Sequence, residues 1–283
     1  MSTPQPGILL PLPPLCRYLV FSLEPDTDVA AGLTALRQLA DGEHTIAGIG
    51  QAPLSAIGRK LPGLKPFPPL SGPGIDIPST PAALWLWLRG DDRGELLLRS
   101  RHIEQALAPV FRLQESCDGF KHDTGRDLTG YEDGTENPTG EAATAAAIAA
   151  DGSSLVAVQR WLHNFSRFDA MQPEDRDNCI GRRRSDNEEL DDAPESAHVK
   201  RTAQESFSPE AFLLRRSMPW ADGMDAGLMF VAFGHTLDAF QAQMRRMIGL
   251  EDGIVDALFR FTRPVSGAYF WCPGMEGGRL ALI

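Results

Sequence analysis

"AALWLWLRG", residues 82–90, is apolar until an arginine and a glycine close it, and two aspartates follow. A short unbroken apolar run bounded in this way reads as a strand. From Arg93 to Gln114 apolar residues recur every three or four positions, so a helix is expected next. The passage occurs again far downstream. "AGLMFVAFG", residues 226–234, reads as a strand, and "HTLDAFQAQMRRMIG", residues 235–249, as the helix after it. Two matching passages suggest a duplicated α+β unit, although many unrelated folds contain a strand followed by a helix.

Other segments fit the same alternation. "RYLVFSL" (17–23) predicts a strand and "DVAAGLTALRQLA" (28–40) a helix. "TIAGIGQ" (45–51) and "SSLVAVQRWL" (153–162) read as further strands. Repeated prolines in "LPGLKPFPPLSGPGIDIPSTP" (61–81) predict a surface loop without regular structure. "GEAATAAAIAADGSS" (140–154), rich in alanine, reads as a connector with a short helix. The expected organisation is therefore a first unit over residues 1–140 and a second over 141–283.

The chain has 283 residues and is 42% hydrophobic, enough to bury a core in either one large or two ordinary domains. Its 27 lysines and arginines face 38 aspartates and glutamates, for a formal charge of -11. Such a field opposes binding to polyphosphate, so nucleic acid is not an expected partner. The cysteines at 16, 117, 179 and 272 form no CxxC or zinc-like pair and are read as reduced thiols. No unbroken apolar stretch suits a membrane span, and the N-terminus lacks the pattern of a secretory leader. A soluble, cytoplasmic protein is expected.

"GYEDGTENPTG", residues 130–140, concentrates acid and glycine at one point. Glycines permit positive φ and Asn137-Pro138 forces a turn, so Asp133 is either presented on a bend of defined shape or merely caps that turn. Among six histidines, His44, His102 and His122 sit in polar company and are expected at the surface, and His235 falls at a helix start. His198, in "PESAHVKRT", has no paired-ligand spacing to support zinc. Arg215 and Arg216 precede Ser217 in "LLRRSMPWADG". One isolated histidine, one aspartate on a bend and one arginine are the parts a haem peroxidase needs: an axial imidazole, an acid/base and a cation.

The chain resembles the dye-decolorising peroxidases. "GYEDGTENP" is similar to their GxxDG motif, "SAHVKR" to their proximal histidine segment and "RRSMPW" to their distal arginine segment. "PQPGILLPLPPLCRYLVFSL" (4–23) and "FRFTRPVSGAYFWCPG" (259–274) are similar to the opening and closing regions. Five elements in family order span nearly the whole chain and most resemble the B-type bacterial branch. The resemblance implies α+β architecture of the dimeric α+β barrel type: two ferredoxin-like units, each an antiparallel sheet with helices on one face, and haem b in the second.

Carried onto this sequence, the resemblance makes His198 the axial iron ligand, Asp133 the distal acid/base and Arg215 the distal cation. Ser217 stands where many relatives have asparagine. Gly134 and Thr135 fall on the cofactor side of the GxxDG loop, and Leu228 and Phe230 match the apolar distal wall or serve as plain core. His163 either reaches a haem propionate or is structural, and Asp256 either accepts a hydrogen bond from His198 or is a solvated helix carboxylate. Trp161, Trp220 and Trp271 either relay electrons to bulky donors or only pack. Implied partners are hydrogen peroxide, small-molecule reductants and further copies of the chain in a homo-oligomer. The ending "MEGGRLALI" gives no support to loading into an encapsulin shell. The rival readings are a non-enzymatic haem or iron storage and delivery protein, and a metal-dependent hydrolase built on Asp133.

Overall fold

The structure is a computed structural model and describes residues 2–282. The first half runs β1 (Leu15–Leu23), α1 (Val29–Leu39), β2 (Thr45–Ile49), β3 (Leu84–Gly90), α2 (Arg93–Leu107) and β4 (Phe111–Phe120). α3 (Gly140–Ala147) leads into the second half, with β5 (Ser154–His163), α4 (Pro173–Ile180), α5 (His198–Thr202), β6 (Met218–Asp222), β7 (Asp225–Gly234), α6 (Asp238–Met247) and β8 (Ala268–Cys272). The strand order is β4-β1-β3-β2 in the first half and β6-β7-β5-β8 in the second, every neighbour antiparallel. Each half thus has the ferredoxin-like β-α-β-β-α-β plan. The edges meet at β2–β8, through Ile49 and Trp271, and at β4–β6, through Gly119 and Trp220. Eight strands therefore close into a ring, and the α+β class expected from the sequence is the one observed.

The opening stretch shows why the ring forms. Strand side chains alternate between faces, and here both faces are covered. Trp85 and Trp87 point into the ring, where Tyr18 lies 6.2 and 6.5 Å from them between ring centroids. Leu84, Leu86 and Leu88 point outward onto Leu96, Ile103 and Leu107 of α2. A buried aromatic ring removes on the order of 150–250 Å² from water, or roughly 4–6 kcal/mol at most. Among the described residues the indole nitrogens of Trp85 and Trp87 have no hydrogen-bond partner, which costs about 1–3 kcal/mol each, so the apolar gain prevails. β7 repeats the scheme: Met229, Val231 and Phe233 face inward, and Leu228, Phe230 and Ala232 outward.

Two local expectations need correction. The helix expected to run from Arg93 to Gln114 ends at Leu107, and Phe111 begins β4. Pro109 cannot donate a helical hydrogen bond, so the helix stops just after Ala108, which still has helical φ and ψ, while the residues beyond alternate in burial with the two-residue period of a strand. The proline-rich loop carries a small hairpin, Leu70–Gly72 paired with Ile75–Ile77, and buries Leu64, Phe67 and Ile77. The other expectations tested here match: His44, His102 and His122 are exposed, and all four cysteines are free and buried. No helix among the described residues is long and apolar enough to cross a membrane.

Candidate active site

Between the outer face of β5 and β7 and helices α5 and α6 lies a pocket of about 850 Å³, its mouth included. Leu228 and Phe230 form one wall and Phe240, Met244 and Met247 the other, so most of the lining is apolar. His198, Asp133, Arg215 and His163 all reach into it, although 17 or more positions separate each of them from the next in sequence.

His198 opens the five-residue helix α5, whose Arg201 is buried and donates two 2.7 Å hydrogen bonds to the carboxylate of Asp252. That clamp fixes the helix against the loop that follows α6. The loop delivers Asp256, 1% exposed, whose Oδ2 lies 2.8 Å from Nδ1 of His198. Its Oδ1 accepts from the backbone of Leu258 at 2.9 Å, so Asp256 is locked and is not a solvated carboxylate. Nδ1 is thereby occupied. Among the described residues Nε2 has no hydrogen-bond partner and is the nitrogen left for the pocket.

The glycine-rich bend has a specific geometry. Asn137 donates to the backbone oxygen of Arg215 at 3.0 Å and accepts from its backbone nitrogen at 2.8 Å, so one side chain mimics a strand partner. Gly134 has φ +74°, and a Cβ there would sit 2.7 Å from the Asn137 amide, so glycine satisfies both the turn and the clamp. Asp133 and Arg215 end 3.9 Å apart. Arg216 turns the other way, donating to the backbone oxygens of Ile8 and Leu9, and burial lowers its pKa to about 10. Only the first arginine of the pair serves the pocket.

Ser217 is buried, accepts from the Val231 backbone at 3.3 Å and lines a smaller cleft beside the main pocket that also touches Asp133 and Arg215. Gly134 lines that cleft and a polar one that Thr135 also lines, and neither residue faces the main space. His163 is held from both sides, its Nδ1 2.7 Å from Thr262 Oγ1 and its Nε2 3.0 Å from Asp127 Oδ1. Burial pushes the Asp127 carboxyl up, but hydrogen bonds from His163 and Thr129 outweigh it and hold the group below the usual aspartate range. Sequence reasoning missed Asp127, Thr129, Thr262 and the Asn137 clamp, because their partners lie 36, 99 and 78 residues away in the longest pairs.

Of the tryptophans considered as relays, only Trp161 lines the pocket, and Trp220 and Trp271 lie under the guanidinium groups of Arg160 and Arg59 at 3.7 and 4.6 Å. All three are buried. No cluster of three or more histidine, cysteine, aspartate or glutamate side chains capable of holding a metal ion occurs among the described residues.

Comparison with known proteins defines the class. The family model "Dyp-type peroxidase, C-terminal" matches residues 124–277, more than half of the chain. A dye-decolorizing peroxidase of Rhodococcus erythropolis is 30% identical over 96% of this chain and 87% of its own length. A dyp-type peroxidase structure from Shewanella oneidensis superposes with a TM-score of 0.88 at 26% identity, over 97% of both chains. A variant of DypB from Rhodococcus jostii RHA1, in complex with heme, gives 0.87 at 27% identity over 96% of each. The fold and these matches define an oxidoreductase of the peroxidase type. The chain belongs to the dye-decolorising peroxidase family.

Proposed function

We propose that the chain is a haem b peroxidase of the B-type branch that reduces hydrogen peroxide and oxidises dyes, phenolics or other one-electron donors. The observation that carries this reading is the orientation of His198. One nitrogen is engaged by the buried Asp256, and the other is free toward a deep apolar pocket with Asp133 and Arg215 on its wall. That donor set fits haem. Nε2 would ligate the iron, and Leu228, Phe230, Phe240, Met244 and Met247 would contact the flat apolar macrocycle. When bound, haem supplies the iron at which peroxide is reduced.

The protein's own contribution follows from position and charge. A carboxylate hydrogen-bonded to Nδ1 fixes the tautomer and raises the basicity of the ligand, the positioning role assigned to Asp256. Asp133 takes a proton from one peroxide oxygen and returns it to the other, directly or through a water. Arg215 supplies fixed positive charge where negative charge gathers as the O–O bond lengthens. Ser217, in the adjoining cleft, is placed to steady peroxide on its way to that pair, with Gly134 and Thr135 shaping the loop that carries Asp133. His163, fixed by Asp127 and Thr262, is assigned to a haem propionate. The division between units is assigned to Gly140, and the protein is assigned to the cytoplasm as a homo-oligomer that binds neither nucleic acid nor membrane.

Absorption spectroscopy of the purified protein tests the reading. A Soret band that changes on adding peroxide, with oxidation of a phenolic donor, is the expected result. Full haem with no turnover would favour the storage and delivery reading, which has no use for Asp133 paired with Arg215. Absence of haem after reconstitution would overturn both.

A further inference from the structure

We propose that a groove on the outer side of the His163 wall is a docking site for planar aromatic anions that serve as electron donors, a substrate site that rests on the peroxidase reading above. The groove holds about 1340 Å³, its open mouth included. It stands back to back with the main pocket, and His163, Phe261 and Thr262 line both.

Basic side chains outnumber acidic ones along the groove. Arg167, Arg260 and Arg263 line it, all exposed, and among the described residues none forms an ion pair. The side-chain hydrogen bond of Arg260 goes to Cys179 Sγ, at 3.7 Å. One carboxylate, Asp225, also reaches the groove. In a protein of formal charge -11, three guanidinium groups without an ion pair, set against a single carboxylate in one concavity, form a local positive field.

The lining completes the ligand class. Phe165 and Phe259, both half-buried, give the groove aromatic surface, and the Phe259 ring lies 5.4 Å from that of Trp161, which faces the main pocket. A planar anion can stack there while its acidic group meets guanidinium, whose planar donors suit carboxylates and sulfonates. A cationic donor gains only the stacking and meets repulsion. The groove therefore selects aromatic carboxylates and sulfonates, and brings them within one aromatic pair of the main pocket.

The test uses haem-loaded protein and the double variant Arg167→Glu/Arg263→Glu, which leaves the Arg260–Cys179 contact in place. The readouts are fluorescence anisotropy of the trisulfonated pyrene dye pyranine, and KM and kcat for a sulfonated azo dye and a cationic phenothiazine dye. Reversing two exposed charges is expected to raise the pyranine Kd and the azo-dye KM about tenfold, with kcat held and the cationic-dye KM not raised. Arg167→Gln/Arg263→Gln should give a smaller shift in the same direction, and an unchanged Soret band and Tm show that both variants fold. Unchanged pyranine affinity, or equal losses for both dyes, would overturn the groove. If wild type turns over neither dye, the peroxidase reading fails while pyranine binding still decides the groove. If turnover is normal and pyranine affinity is unmoved by the variant, the groove fails and the peroxidase reading stands.

Discussion

The two halves share one strand order and differ in what fills the space between sheet and helices. In the first half Leu84, Leu86 and Leu88 meet Leu96, Ile103 and Leu107 of α2, and the interface is closed. In the second, Leu228 and Phe230 look across about 850 Å³ at Phe240, Met244 and Met247 of α6. Between β1 and β2 the chain makes one helix, α1. Between β5 and β6 it runs from Asn164 to Ser217 and brings in α4, α5 and His198. A site arises here where a repeated unit leaves its core interface unfilled and lengthens one connection to line the space. The first half is the control: the same architecture with a packed interface, whose one buried polar side chain on α2, Ser100, is satisfied by the Leu96 carbonyl of its own helix.

The most severe test of that contrast is His198→Ala. The second half would keep its pocket but lose the only imidazole nitrogen open to it from α5, and the purified variant should lose most bound haem and its peroxidase activity. A full Soret band with normal turnover would show that the pocket alone, without His198, defines the site. Next comes the pair on the wall. Arg215→Leu removes the one guanidinium that lines the main pocket among the described residues, whereas water can partly replace the proton transfer of Asp133→Asn. Stopped-flow reaction with hydrogen peroxide should slow on the order of 10²–10³-fold for the arginine variant and less for the aspartate variant. The reverse order would make the carboxylate the principal catalyst.

Stability separates the halves more mildly. Leu86 is fully buried in the closed interface, so Leu86→Ala should cost about 2–5 kcal/mol in urea unfolding of the haem-free protein. Phe230, half-buried and already facing open space, should cost clearly less when truncated in the same preparation, despite the larger ring removed. Equal losses would mean that the second interface collapses onto itself when empty, and the contrast between filled and unfilled interfaces would fail.

Much of this was legible because it was local. The apolar runs "LWLWL" and "LMFVAF", each followed by a helical pattern, suggested the repeat, and the GxxDG bend with His198 and Arg215 carried the family resemblance. Residues whose meaning depends on distant partners were not legible. Asp127 has no motif of its own, and only folding brings His163 to it from 36 positions away. Asn137 read as a turn former, since nothing in the sequence says that its amide will pair with the backbone of Arg215. β4 was lost because a few apolar residues past Pro109 can be fitted to either a helical or a strand period, and closure of the ring decides the matter.

The gentlest prediction concerns that unread aspartate. The closed interface of the first half, built from leucines and an isoleucine, titrates nothing, whereas the edge of the open one carries Asp127 against His163 and Thr129. A carboxyl whose folded pKa lies below its unfolded one adds stability that is fully present above the unfolded value, near 3.9 for aspartate, and is lost as pH falls through the lower folded value. Asp127→Asn should therefore lower the Tm of the haem-free protein by a roughly constant amount between about pH 5 and 7, and the difference from wild type should shrink below about pH 4. Leu86→Ala, which changes no ionisable group, should show a Tm difference that does not shrink there. If the Asp127→Asn difference instead grows toward low pH, burial outweighs the hydrogen bonds and the charged aspartate is a burden on the open half.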